Sequence, residues 1–168
     1  MALVLVKEDG SGLAEANAYA DRAEGDGYHE GHLYGTAWTG ATNGQKEAAL
    51  VMATRVIDAC FQFGGRRAKV GQALQWPREG CVDPDAGEDS DGYFASDALP
   101  AALRDATIEF ARELIKSDST DAPVGQGILQ VSVTGATHVI YDKRDTQPIV
   151  PKTVQVMLRR LGVYLAKG

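Results

Sequence analysis

No stretch of this chain approaches the ~20 consecutive apolar residues that a membrane-spanning helix requires, so none is expected. The apolar opening Met1–Val6 stops at Lys7-Glu8-Asp9. It is too short for the core of a secretion signal and has no basic flank, so the expectation is a soluble product. Cysteine is scarce: Cys60 and Cys81 are the only two, and they form no CxxC pair. Free thiols in a reducing cytosol are expected rather than a disulfide. Cations are outnumbered, with 17 Lys and Arg against 23 Asp and Glu and a net charge of -6. Affinity for nucleic acid comes largely from Lys and Arg neutralising phosphates. The balance therefore argues against a broad DNA-gripping face and leaves room only for a local basic patch.

Catalytic signatures are missing as well. There is no GxSxG elbow, and neither cysteine sits in a protease-like context. Gly25-x-Gly27 and Gly125-x-Gly127 complete neither GxxxxGK[ST] nor GxGxxG, so no phosphate loop is expected. His29-x-x-His32 could place two imidazoles on one helical face, but it lacks the Glu of HExxH and a third ligand. Two solvent-facing histidines are the expectation. The acidic run from Asp83 to Asp91 does not keep the alternating register, central Gly and closing Glu of a calcium loop. It reads as a solvated acidic loop. No catalytic residue, cofactor or metal can be named, and an enzyme is not expected.

What is present is a chain of 168 residues, 44% apolar, enough for one domain with a real core. Residues 1–16 read as an N-terminal arm and residues 17–116 as a helical core. A first helix is predicted from an Asn17 cap to about Tyr34, weakened by Gly25, Gly27 and Gly31. Thr42-Asn43-Gly44-Gln45 is a capping box. Ala49, Met52, Ala53, Val56, Ile57 and Cys60 then recur at helical spacing, with Gly64-Gly65 as the stop. Residues 64–97 form a long loop rich in Gly and Asp. Ser96 or Asp97 is expected to cap a third helix, which has Pro100 in its first turn and ends near Lys116. Residues 117–126 and 142–150 read as linkers, and 127–141 as a β-hairpin. Residues 151–168 are expected to form a final helix with Val154, Leu158, Leu161 and Leu165 as its apolar stripe. The fold class is mainly α with a small β-hairpin: a bundle of about four helices with a long irregular loop.

Two groups could meet a partner. Arg66, Arg67 and Lys69 lie near Phe61, Phe63 and Trp76, and aromatics beside cations suit stacking of single-stranded bases. The same pattern fits a helix C-terminus followed by a buried Trp, which is favoured because the aromatic spacing also suits core anchoring. Arg159, Arg160 and Tyr164 lie off the stripe of the last helix and are the candidate contact with a neighbour.

Several segments, taken in order, carry a resemblance. They are Ala16-Asn17-Ala18-Tyr19-Ala20, Gly27-Tyr28-His29, Ala37-Trp38, the helix Lys46–Asp58, Gln72-Ala73-Leu74-Gln75-Trp76-Pro77-Arg78, and Leu99–Thr107. Together they resemble tailed-phage proteins often labelled DnaT-like single-stranded-DNA-binding proteins, whose members also look like head-to-tail connectors (adaptors). The resemblance covers about residues 13–116 well and the rest loosely. It implies a connector-like helical fold in which Trp76, Pro77 and Arg78 are a structural anchor. It further implies a virion neck protein, made in the bacterial host cytoplasm. This protein would form a dodecameric ring of its own copies below the portal protein and contact a tail or stopper protein. Double-stranded DNA would pass through without specific binding, and no cofactor or membrane is implied. The other implied function is coating single-stranded DNA during replication. The acidic balance favours the connector, since a net-negative channel does not trap phosphates.

Overall fold

A computed structural model describes residues 3–121, 130–133, 137–140 and 148–165. The architecture is mainly helical, with three two-stranded antiparallel sheets. The helices are α1 (Arg22–Glu30), α2 (Thr36–Thr39), α3 (Asn43–Cys60), α4 (Ala101–Lys116) and α5 (Lys152–Leu158). The strands are β1 (Phe61–Phe63), β2 (Arg66–Arg67), β3 (Arg78–Glu79), β4 (Gln130–Val133), β5 (Thr137–Ile140) and β6 (Gly162–Tyr164).

The long pair α3 and α4 forms the spine, and α5 lies against α4. α3 begins where the capping box places it. The Thr42 hydroxyl accepts from the Gln45 amide at 3.3 Å, and the Gln45 side chain accepts from the Thr42 amide at 2.9 Å. Leu50, Ala53 and Ile57 are then buried against Leu103, Ala106 and Phe110 of α4 in one apolar cluster. β4 pairs with β5 as the hairpin pattern requires, Val131 opposite Val139. The rest of that expected hairpin and parts of both linkers (residues 122–129, 134–136 and 141–147) lie outside the described residues.

Five boundaries differ from the sequence reading. Asn17 caps no helix: its side chain accepts from the Val6 amide at 2.9 Å and donates to the Val4 carbonyl at 2.9 Å, pinning the arm. Asp21 caps α1 instead, in a capping box with Glu24, and the helix stops at Gly31. α3 ends at Cys60, before the glycine pair, because Phe61 turns into an extended strand. Arg66 and Arg67 therefore lie on β2, paired with β3, and not at a helix terminus. Pro100, not Ser96 or Asp97, is the residue that precedes α4. The last helix ends at Leu158, and the chain returns as β6 along β1, with Phe61 opposite Tyr164 and Phe63 opposite Gly162. Only glycine fits there: a Cβ on Gly162 would sit 2.6 Å from the Gln62 carbonyl oxygen and 2.9 Å from the Phe63 ring. Leu165, assigned to a helical stripe by its spacing, is exposed after that strand.

Gly25 has a similar cause. A side chain at this position would begin 2.3 Å from the Trp38 ring, so the glycine that weakens α1 makes room for a fully buried indole. The 64–97 segment is long and irregular as expected, yet it enters the core at Leu74, Trp76 and Cys81. Trp76 has no exposed surface and is held edge-on between Phe63 at 5.9 Å and Phe94 at 5.7 Å. Trp76→Ala is therefore expected to destabilise the fold by about 3–5 kcal/mol. Urea unfolding checks this, and an unchanged midpoint would refute it.

Candidate nucleic-acid interface

The Gln72–Arg78 block folds as a knot tied to α3. The Tyr19 hydroxyl donates to one Asp58 oxygen at 2.5 Å, and the Gln75 amide donates to the other at 2.9 Å. The Trp76 amide donates to the same tyrosine oxygen at 3.2 Å. Gln72 donates from its side chain to the Leu74 and Pro77 carbonyls at 2.9 and 3.1 Å. The Arg78 guanidinium donates to the carbonyls of Gly64, Gly65 and Gln75 at 2.5, 2.8 and 3.0 Å. Arg78 is buried and saturates backbone acceptors, so it offers no charge to a ligand. The Trp76–Pro77 peptide bond is cis.

This knot forms one wall of a groove whose other wall is α3. The recess holds about 410 Å³ and is lined by Asn17, Thr54, Arg55, Asp58, Arg67 and Gln75, among others. That volume lies within the ~300–1,000 Å³ range of ligand sites. Arg55 and Arg67 are exposed, and neither side chain makes a hydrogen bond or ion pair within the described residues. Arg67 acts on Asp58 through space only. Arg66 differs: it is held by Glu79 at 2.9 Å. Gln75 accepts from Arg78 through its side-chain oxygen, which leaves its NH₂ to the recess. Burial pushes the Asp58 carboxyl up to about 6, against the lowering effect of its two hydrogen bonds and of Arg67 and Arg78. The groove is thus a donor-rich, cationic recess on an acidic chain.

The residues singled out by sequence are distributed differently. Phe61, Phe63 and Trp76 are all buried, so they form no stacking platform beside Arg66 and Arg67. Arg159 is exposed, and Arg160 pairs with Asp85 of the acidic segment at 2.9 Å. Tyr164 is not on a helix, and its ring packs on Phe61 at 5.3 Å. The acidic segment is a projecting tongue: Val82 bridges Tyr93, and the Asp83 amide donates to the Gly92 carbonyl at 2.9 Å. Among the described residues, no group of three His, Cys, Asp or Glu side chains can hold a metal ion. Both cysteines are free and buried, and burial raises both thiols above their ordinary range.

The histidines correct the sequence reading. His29 is buried, with its ring 5.0 Å from Trp38, because α1 turns this face toward α2 and α4. His32 lies beyond the end of α1, in the turn to α2. The groove itself escaped the sequence reading, since its residues come from segments far apart in the chain. The only local hint was Arg67.

A mainly helical chain with a small cationic groove is the class that fold and site define. Within that class, the chain belongs to the family described as "Putative DnaT-like ssDNA binding protein", whose model matches residues 1–167. No curated protein and no solved structure matches the chain.

The Asp58 carboxyl sits above its ordinary value of 3.8 in the fold. The stability this contributes is fully present below pH 3.8 and is lost as pH rises through about 6. Going from about pH 7.5 to pH 5, Asp58 should add on the order of 1 kcal/mol to folding. Asp58→Asn should remove that increment. Urea midpoints of both proteins at the two pH values check it, and an identical pH dependence would refute it.

Proposed function

We propose that this chain binds single-stranded DNA and seats a stretch of the strand's backbone in the groove between α3 and the 66–75 segment. The guanidinium groups of Arg55 and Arg67, neither bonded or ion-paired among the described residues, carry this reading. Guanidinium forks match phosphate oxygens in a bidentate geometry and lose little on desolvation. The Gln75 amide, which lines the same recess, suits a sugar or base edge. The family description supports the same class of ligand. Because the nearby aromatics are buried, binding rests on backbone charge: it tolerates any sequence and falls steeply with salt.

A second reading is favoured by the net charge of -6. It makes the chain a head-to-tail connector of a phage neck: a ring of copies below the portal, bound to a tail or stopper protein, through which duplex DNA slides. A mostly acidic lining repels phosphates and leaves DNA mobile. The exposed Arg159 would then meet a neighbouring copy, and the Arg160–Asp85 pair would orient the tongue at that contact.

Fluorescence anisotropy with a labelled oligo-dT at low salt separates the two. The single-strand reading expects binding whose log–log salt slope falls by about 1.4 in the Arg55→Ala/Arg67→Ala variant, at ~0.7 for each phosphate no longer neutralised. It also expects affinity to drop at least about tenfold in that variant. Ring-shaped particles in negative stain with no oligo-dT binding would overturn it and support the connector.

A further inference from the structure

The corner formed by α1, α2 and the turn between them rests on α4 through an incompletely bonded polar contact. Within the described residues, five buried side-chain polar atoms lack a hydrogen-bond partner. Four of them belong to this one contact: both ring nitrogens of His29, Oε2 of Glu109 and Nε of Arg112. All three side chains are more than nine-tenths buried. His32 accepts from the Tyr34 amide through Nδ1 at 3.0 Å, so its proton is on Nε2, which faces Glu109 Oε2 at 3.6 Å. That separation is too long for a hydrogen bond. The His29 and His32 rings lie 5.5 Å apart.

The charges facing these rings are unevenly matched. From α4, Glu109 and Arg112 act on His29, while Asp105 is paired with Arg104 at 3.0 Å; Arg112 is bound by both Glu109 and Glu113 and donates to the Tyr34 carbonyl of the corner at 3.3 Å. From α1 come Tyr28, whose ring is edge-on to His29 at 5.1 Å, and Asp26. Asp26 is occupied by Trp38 at 2.8 Å and by Lys46 of α3 at 2.7 Å. Glu109 is thus the carboxylate that acts on both imidazoles, and it already serves Arg112. One proton on either ring can be met by Glu109 Oε2. Two protons leave a buried cation beside Arg112 with no anion of its own, which is a costly arrangement.

We propose that the His29–His32–Glu109 contact is a proton-operated latch: it holds the α1–α2 corner on α4 when both imidazoles are neutral and releases it when both are charged. Burial lowers the affinity of His29 for a proton. Its neutral form therefore stabilises the closed corner above pH 6.5, and that contribution is lost as pH falls. The opened corner presents Trp38 together with Leu33 and Tyr34, which are already exposed at its apex. The latch is independent of the DNA reading, because it lies apart from the groove residues.

Hydrogen exchange of the full chain, read by mass spectrometry as protection factors at about pH 7.5 and pH 5, tests it. Peptides covering 22–40 should lose at least about tenfold in protection at the lower pH, while those covering α3 keep theirs. In His29→Gln/His32→Gln the corner should be equally protected at both pH values. Equal protection of the wild-type corner at both pH values would overturn the latch, as would the same loss in the double variant. If the double variant does not fold, His32→Gln alone decides. Corner protection kept at about pH 5 supports the latch, and a loss equal to the wild type's overturns it.

Discussion

The Asp58 carboxylate is the junction on which the rest of the molecule depends. It accepts one hydrogen bond from the N-terminal segment, through Tyr19, and one from the Trp-Pro-Arg block, through the Gln75 amide. A carboxylate this far from water is tolerated only when its oxygens are bonded, so the two donors and the acid hold one another in place. Without that junction, the 64–97 segment would have little reason to fold back on α3. Fewer of its residues are apolar than in the helices, and two of its three core anchors, Leu74 and Trp76, flank Gln75. The groove exists because this block is held against the helix, with Arg67 on one side and Arg55 on the other.

Much of the helical frame was legible in the chain. α3 and α4 carry apolar positions at three- and four-residue steps over 18 and 16 residues, long enough for the pattern to be read. The Thr42–Gln45 box marks its own helix start through local hydrogen bonds. Elements whose form is set by distant partners were not legible. β6 is a strand because β1 lies beside it, and by spacing alone Leu161 and Leu165 continue a helical stripe. Asn17 has a good capping side chain, but the arm takes both of its polar atoms. The burial of Glu8, which gathers the amides of Gly10, Gly12 and Leu13, has no signature at all in a polar loop. The groove was invisible for the same reason: Asn17, Arg55, Arg67 and Gln75 meet only in the fold.

Charge takes on a sharper meaning once the structure is considered. A net charge of -6 describes the chain as a whole, yet many of its cations are neutralised by a neighbouring acid, among them Lys7, Lys46, Arg66, Arg104 and Arg112. Arg55 and Arg67 stand out because among the described residues their forks have no partner, and they border the same recess. An anionic strand approaching an acidic body is steered to the place where repulsion is least and donors are free. This reconciles an acidic protein with membership of a family described by its single-stranded DNA binding.

The central claim is that DNA meets this chain at the groove. Photo-crosslinking the full chain to a single strand carrying bromodeoxyuridine, followed by mapping of the modified peptides, tests this most directly. The account predicts adducts confined to peptides spanning residues 51–59 and 66–75. Adducts falling instead on the 81–94 tongue or the 130–140 hairpin, or no adducts at all, would contradict it.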